Sequence, residues 1–308
     1  MKFRGHETFH IRKGWLYKGL KNVKKNDRFF LDNDINPTDF LGIGTSMVKS
    51  LRYWLQAVGL TTEEREGNTI HQRFTPFGKI IMGNDKYMEE EGTLWYLHYK
   101  LASNKELATT WYWFFNVFNM NEFSKEEFVN SLDSYIRYNL KDKPVAMRSL
   151  EDDYNCLINT YLSRKKRYPN KKISPEENLD CPLGELNLLD IVDKKRKIIK
   201  KSKLRKDAIH PLIILSIIID QYEKYEYKNE SKEIKIANLL NNPCNIGRIF
   251  NMNLNTLNHY LDRLQELRYI TVTRTAGLDV INLRTDLDSL ETLKKYYKEI
   301  GSLEVRDF

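Results

Sequence analysis

The chain has 308 residues, enough for two or three domains, and ordinary proportions of apolar and charged side chains, 41% and 30%. Lysine and arginine outnumber aspartate and glutamate by 50 to 42, which gives a formal net charge of +8. This balance favours a polyanionic partner, either nucleic acid or an acidic membrane face. The three cysteines form no C-x-x-C pair, which argues against a disulfide framework and a cysteine zinc site.

Nothing in the sequence predicts insertion into a membrane. The longest apolar run, Pro211–Ile219, is far shorter than the roughly 20 residues that span a bilayer. The first residues contain no apolar stretch of the signal-peptide type. We therefore expect a cytoplasmic protein without a membrane partner.

Residues 41–82 show a helix followed by a polar hairpin, which is the order of a winged helix-turn-helix module. A Gly-Ile-Gly-Thr-Ser loop precedes an apolar stripe at helical spacing, and two short polar segments surround a Gly67-Asn68 turn. Free N–H groups at a helix start bind phosphate, and cations on the polar side of the helix add to this. The expected DNA contacts are Gly42, Gly44, Thr45, Lys49 and Arg52. A solvated helix face is the alternative.

The same order of elements returns over residues 236–283. Two short helices and a leucine-striped third helix precede two strand-like segments on either side of Ala276-Gly277. The polar side of the third helix would contact base edges. The expected DNA contacts are Asn255, Asn258, His259 and Arg263, with Arg248 and Arg274 as backbone contacts. Asp262 and Glu266 would repel phosphate, so a protein-binding winged helix is the alternative.

The middle of the chain predicts helices and two basic clusters. Arg164–Arg167 with Lys171 and Lys172 form one cluster, and the other runs from Lys194 to Lys206. Together they hold 15 of the 50 lysines and arginines. We therefore expect a mainly α fold with small β-hairpin wings. In this interpretation, winged helix-turn-helix modules at residues 1–95 and 207–308 flank a helical middle domain at residues 96–206.

Catalytic motifs are few. His6-Glu7-Thr8-Phe9-His10 matches the H-E-x-x-H pattern that holds zinc on a helix in metalloproteases. No third-ligand pattern follows it, so a turn whose polar residues form a buried hydrogen-bonded structure is the competing interpretation. Asp152-Asp153 forms no convincing cluster of nuclease carboxylates.

Several of these stretches resemble the SspB-like family, bacterial proteins found with DNA phosphorothioation genes. The resemblance covers most of the chain. The residues that carry it are Gly5–Phe9, Arg12, Trp15, Leu41–Trp54 and Thr75–Gly78, with looser matches at Glu151–Tyr154, Thr160–Tyr161, Asp180–Leu183 and Leu186.

The resemblance implies action beside a cysteine desulfurase and an ATP-dependent sulfur-transfer enzyme, which replace a non-bridging phosphate oxygen of DNA by sulfur as a defence mark. It also implies nicking of one DNA strand, a reaction that would use Mg²⁺ or Mn²⁺. His6 or Glu7 would then assist proton transfer or hold the ion, while Lys49 and Arg52 position the phosphate. A non-catalytic DNA-binding adaptor or transcriptional regulator is the alternative, and a zinc peptidase built on His6 and His10 is a third hypothesis.

Overall fold

The computed structural model describes residues 1–139, 144–162, 180–224, 232–275 and 278–304. The predicted basic cluster of Arg164–Arg167 with Lys171 and Lys172 lies outside these residues, as does the predicted Ala276-Gly277 turn. Across the described ranges, no helix is both long enough and apolar enough to cross a membrane.

The chain divides into two compact units, Met1–Ser202 and Lys203–Phe308. The boundary expected between residues 95 and 96 falls inside one continuous helix, Glu91–Ser103, whose side chains are buried on both sides of that point. The predicted N-terminal and middle domains therefore lie within the same unit. The boundary expected at residue 206 is four residues from the observed division.

The first unit begins with helices and one hairpin. Its elements are α1 (Trp15–Lys25), α2 (Pro37–Leu41), α3 (Thr45–Ala57), β1 (Thr61–Glu66), β2 (Thr69–Phe74) and α4 (Pro76–Asn84). The two strands are antiparallel, with Thr61 opposite Phe74. The helix and hairpin predicted for residues 41–82 are thus confirmed as elements, whereas their identity as a winged helix stays a prediction.

Local chemistry explains how α4 begins and where it packs. The Thr75 hydroxyl accepts a hydrogen bond from the Gly78 N–H at 2.9 Å, and Pro76 occupies the first turn. Gly78 lies directly against the backbone of Leu60, so closely that a Cβ at residue 78 would be 2.0 Å from the Leu60 carbonyl oxygen. This contact fixes α4 against the segment that leads into β1.

The remainder of the first unit is a helical layer with a small sheet. Its elements are α5 (Glu91–Ser103), α6 (Thr109–Asn116), β3 (Glu122–Phe123), α7 (Lys125–Asn139), α8 (Met147–Tyr161), a 3-10 helix (Pro182–Leu186), β4 (Leu189–Asp193) and β5 (Ile198–Lys201). The strands form an antiparallel sheet in the order β3-β5-β4. The core is unusually aromatic, and its fully buried rings include Trp54, Trp95, Trp111, Trp113 and Phe128. No alternating pattern in the sequence predicts this sheet.

The second unit contains the predicted order of helices and hairpin. Its elements are α9 (Pro211–Lys224), β6 (Glu233–Lys235), α10 (Ile236–Asn241), α11 (Ile246–Ile249), α12 (Leu254–Glu266), β7 (Ile270–Thr275), β8 (Leu278–Leu283) and α13 (Ser289–Glu304). Leu257, Leu261 and Leu264 of the α12 stripe are fully buried, as the spacing predicts. β6 adds an unpredicted strand, which gives the sheet order β6-β8-β7. The mainly α fold with small β-hairpins is therefore confirmed.

Candidate nucleic-acid interface

The turn that contains His6 lies in the core of the first unit. His6 is completely buried, and both of its ring nitrogens have partners. The backbone N–H of Thr8 donates to Nδ1 at 3.0 Å, so Nδ1 acts as an acceptor. Nε2 must then carry the ring proton and donate it to Oδ1 of Asp153 at 2.7 Å. This is the arrangement of a structural histidine in its neutral form.

Asp153 of α8 accepts hydrogen bonds from the N-terminal turn and from α6. Besides His6, its carboxylate accepts hydrogen bonds from the backbone N–H of Arg4 at 2.8 Å and from the Thr110 hydroxyl. The His6 ring also stacks on Trp54, with ring centroids 6.2 Å apart. The turn, α6 and α8 are therefore joined at one buried carboxylate, as expected for a buried charge that must be fully hydrogen-bonded.

These contacts favour the structural interpretation of His6 over the catalytic one. A divalent ion such as Mg²⁺ takes several oxygen ligands and keeps some of its water, whereas Asp153 is buried and both of its carboxylate oxygens already accept hydrogen bonds. Glu7 is half-buried with a left-handed backbone, φ 49°. In the part of the chain that the structure describes, no group of three or more His, Cys, Asp or Glu residues is placed to hold a metal. His6, whose two ring nitrogens are already hydrogen-bonded, thus does not fit the ion, and the role of Glu7 stays a prediction.

The same turn attaches the N-terminal segment to α3. The carbonyl oxygen of Phe9 accepts a hydrogen bond from the indole N–H of Trp54 at 2.8 Å and one from the Ser50 hydroxyl at 3.2 Å. Gly5 lies against the Tyr53 ring, where a Cβ would come within 2.6 Å of the ring carbons. The two motifs that carry the family resemblance are therefore in direct contact, and the first orients the helix that contains the second.

The start of α3 is an exposed surface. Gly44 is the N-cap residue, no side chain caps the helix, and its first turn contains no acidic residue. Gly42, Gly44, Thr45 and Lys49 are all exposed. The structure therefore brings four of the five predicted contacts of this segment together, at a helix end whose partial positive charge suits an anion.

Arg52, the fifth predicted contact, is held inside the protein. Its guanidinium makes two parallel hydrogen bonds to the Glu63 carboxylate, Nε to Oε1 at 2.6 Å and Nη2 to Oε2 at 2.8 Å. The Gln56 side chain donates to the same carboxylate at 2.8 Å. Only 30% of the Arg52 side chain is exposed. Arg52 thus ties α3 to β1, and its role as a phosphate contact, which would require it to leave Glu63, stays a prediction.

The first hairpin is not a basic wing. β1 carries three glutamates, and Arg73 on β2 pairs with two of them, Glu64 at 3.0 Å and Glu66 at 2.8 Å. Glu63 is neutralised by Arg52. The hairpin therefore carries three glutamates against two arginines, Arg65 and Arg73, which leaves it without excess positive charge.

Cations and carboxylates also alternate on the exposed side of α12. Arg274 of β7 donates to Asp262 at 3.0 Å and to Asn258 at 3.2 Å, and Arg263 pairs with Glu266 at 3.0 Å. Such exposed pairs contribute only about 0–1 kcal/mol each, so a phosphate can displace them, but they leave little net positive charge. Phosphate repulsion by Asp262 and Glu266 thus remains a feature of this face.

Of the other DNA contacts predicted on the second unit, His259 and Arg248 are hydrogen-bonded within the protein and Asn255 is exposed. His259 lies 2.7 Å from Asp207, and this hydrogen bond is the main reason why the pKa of Asp207 is lowered from its ordinary value. Arg248 donates to the backbone carbonyl of Asn241 at 3.0 Å. Asn255 is exposed on the first turn of α12.

The sequence matches, over residues 3–297, the family described as "Protein of unknown function (DUF4007)". The chain belongs to the DUF4007 family. Two solved structures resemble this DUF4007 chain along nearly all of its length, and both are SspB. The magnesium ion-bound SspB crystal structure has a TM-score of 0.85 at 25% identity and covers 98% of this chain and 89% of that one. A second SspB crystal structure has a TM-score of 0.82 at 23% identity, covering 100% and 89%.

No curated protein matches the sequence. The family match over residues 3–297 and the likeness to the SspB structures together confirm the resemblance to the SspB-like family.

The basic cluster predicted at Lys194–Lys206 of the DUF4007 chain is split by the fold. Its first four residues, Lys194–Lys197, are exposed in the turn between β4 and β5. Lys201, by contrast, turns inward, and its ammonium group donates to the carbonyl oxygens of Phe114 and Phe118 at 2.7 and 2.5 Å. The cluster is thus only partly a basic surface.

Two carboxylates that hold predicted site residues of this DUF4007 chain in place could not be found from sequence spacing: Asp153, which binds His6, and Glu63, which binds Arg52. Asp153 is 147 residues from its partner His6, and Glu63 is 11 residues from Arg52 on a different element. Asp153 lies in the Glu-Asp-Asp-Tyr stretch that is part of the family resemblance. Because Gly5–Phe9 and Glu151–Tyr154 both belong to the family resemblance, a contact between His6 and Asp153 could have been suspected from it.

Proposed function

We propose that this protein binds DNA and works in a bacterial DNA phosphorothioate modification system. The observation that carries the proposal is the likeness to SspB, which extends over 98% of this chain with a TM-score of 0.85. In this proposal the partners are DNA, a cysteine desulfurase and an ATP-dependent sulfur-transfer enzyme. The helix and hairpin pairs in the two units act as winged-helix modules.

The start of α3 is the DNA contact that the geometry supports best. Gly44, Thr45 and Lys49 are exposed there, and no carboxylate lies in the first turn to repel phosphate. A helix start of this kind binds a phosphate through its free N–H groups and its dipole, and Lys49 adds a full charge. Such contacts position a protein on DNA without reading its sequence.

The reaction proposed for the protein is nicking of one DNA strand with Mg²⁺ as the ion. One of the two SspB structures is magnesium-bound, which supports this choice of ion. A non-catalytic adaptor or transcriptional regulator is the second candidate. It is favoured by the buried hydrogen bonds of His6 and Asp153, which assign the predicted catalytic histidine to the core.

One assay separates the two candidates. Supercoiled plasmid is incubated with the purified protein and Mg²⁺ or Mn²⁺, with and without a chelator, while duplex binding is measured in parallel. Metal-dependent nicked circles together with binding indicate the enzyme, and binding without nicked circles indicates the adaptor. Absence of duplex binding at low salt overturns the proposal. Lys49→Ala is expected to weaken binding and to reduce its salt dependence by about one phosphate contact.

The pair Arg52–Glu63 provides a control for this surface. We expect Arg52→Ala and Glu63→Ala to destabilise the protein by similar amounts, about 1–3 kcal/mol, because each removes the same bidentate contact. Thermal denaturation measures the loss, and neither variant should bind DNA less tightly once folded. If Glu63→Gln, which releases Arg52, tightens duplex binding, Arg52 is a phosphate contact after all and its structural role is wrong.

A further inference from the structure

The exposed side of α1 carries lysines and no acidic residue. Lys18, Lys21 and Lys25 follow each other at helical spacing on one stripe, and Lys24 lies beside it; we name these four residues the α1 lysine face. All four are exposed, and none is in an ion pair with any residue that the structure describes. This distinguishes them from the cations on β2 and α12, which are paired with carboxylates.

The placement of these lysines is unfavourable for the isolated helix. Like charges three and four residues apart repel each other, which applies to Lys18 with Lys21 and to Lys21 with Lys25. Lys18 also lies in the first turn, where the helix dipole disfavours a cation, whereas Lys24 and Lys25 lie in the last turn, where the dipole favours one. A polyanion on this face would remove both penalties.

The buried side of α1 decides which polyanion fits. Trp15, Leu16, Leu20 and Val23 are at most 6% exposed, so the helix has no apolar side left to enter a membrane. Tyr17, one turn before Lys21, is half-buried against the exposed Tyr87, with ring centroids 4.8 Å apart, and the four lysines themselves provide no aromatic or aliphatic anchor of a typical protein interface. The side chains suit a partner that presents regularly spaced charges and little apolar surface, which describes a nucleic-acid backbone.

We propose that the α1 lysine face is a second DNA-backbone contact, which follows the phosphates of the duplex held at the start of α3. This inference rests on the proposed DNA binding. Gly19 packs so closely on Leu55 of α3 that a Cβ would be 2.8 Å from it, so the two helices are fixed to each other within one unit. Lys18 and Lys25 are about 10.5 Å apart along the helix axis. DNA rises about 3.4 Å per nucleotide along its axis, so that length corresponds to about three base-pair steps, and the long lysine side chains reach phosphates beyond it.

The test compares two triple variants with equal loss of charge. Lys18→Ala/Lys21→Ala/Lys25→Ala removes the stripe and keeps α1 helical, because alanine is the best helix former. Lys294→Ala/Lys295→Ala/Lys298→Ala on α13 is the matched control, since those three lysines are also exposed on a helix. Equilibrium binding of both variants and the unchanged protein to a fluorescent duplex is measured at several salt concentrations. Far-UV circular dichroism and thermal denaturation confirm that each variant folds.

The slope of log K against log[salt] is the deciding quantity. Each phosphate contact contributes about 0.9 to the slope, so the α1 variant should lose about 2.7 while the α13 variant keeps the slope of the unchanged protein. Equal slopes for the two variants overturn the α1 contact and leave DNA binding intact. If the unchanged protein does not bind the duplex, both proposals fail. Loss of binding to single-stranded RNA alone, with duplex binding unaltered, also overturns the inference.

Discussion

Replacement of His6 by alanine is the sharpest test of the role that the structure gives to the N-terminal turn. The change removes the donor at 2.7 Å from Asp153 and the ring that stacks on Trp54. Asp153 then keeps its donors from Arg4 and Thr110 but loses its third partner in a site without access to water. A structural histidine and a catalytic one predict opposite outcomes for this variant.

The magnitude follows from burial. The loss of a hydrogen bond from a neutral donor to a buried carboxylate typically costs about 1.5–3 kcal/mol, because the carboxylate stays buried with fewer hydrogen bonds. For a unit of about 200 residues, each kcal/mol shifts the melting temperature by about 2–4 °C. The expected decrease for His6→Ala is therefore about 3–12 °C. Glu7→Ala, in the same turn but half-buried, should change stability by no more than about 0.5 kcal/mol.

Differential scanning calorimetry measures both melting temperatures, and the plasmid assay measures nicking per folded molecule. His6→Asn keeps an N–H donor but cannot transfer a proton, so we expect it to recover part of the lost stability with the nicking of the unchanged protein. A His6→Ala variant that melts normally and no longer nicks DNA would refute the structural assignment. So would a Glu7→Ala variant that unfolds as easily as His6→Ala.

Two further changes test other contacts. Gly78→Ala places a Cβ 2.0 Å from the Leu60 carbonyl oxygen and should destabilise the protein by about 1–3 kcal/mol. Gly83→Ala on the same helix meets nothing within 4 Å and should stabilise the protein slightly. Chemical denaturation measures both free energies of unfolding, and equal values for the two variants would contradict the prediction. The pKa of Asp207 is lowered from 3.8 by His259, so its contribution to stability is present above pH 3.8 and is lost as the pH falls through the lower, folded-state value. His259→Ala should return the pKa of Asp207 toward 3.8 in an NMR titration, and an unchanged value would rule out His259 as the main cause of the lowered pKa.

Much of the fold could be predicted because its signals are local. The Gly67-Asn68 turn, the apolar stripe of α3 and the leucine stripe of α12 each follow from spacing within one element, and the structure contains each of them. The sheet of β3, β4 and β5 could not be found in the same way. β3 has two residues and pairs with β5 across more than seventy positions of the chain. Two residues are too few to show the alternation of apolar and polar side chains that indicates a strand.

The candidate site shows the same division between local and distant information. Exposure of Lys49 follows from its place on the polar side of an amphipathic helix, which the sequence displays directly. Arg52 lies on the same side, one turn later, and sequence spacing alone assigns it the same role. Its partner Glu63 comes from the hairpin, whose position beside α3 is a property of the fold.

A cation is therefore a candidate for a phosphate contact only if no neighbouring carboxylate already pairs with it. By that measure Arg52, Arg73, Arg263 and Arg274 belong to internal pairs. Lys49 and the α1 lysine face do not pair with any described residue, and they lie in the same unit. The net charge of +8 first suggested a polyanion. Other lysines, such as Lys194, Lys294 and Lys298, are also exposed without a carboxylate partner among the described residues, so free charge alone does not select one surface. We propose the start of α3 and the α1 lysine face as the first surface to test for DNA, because they lie in one unit.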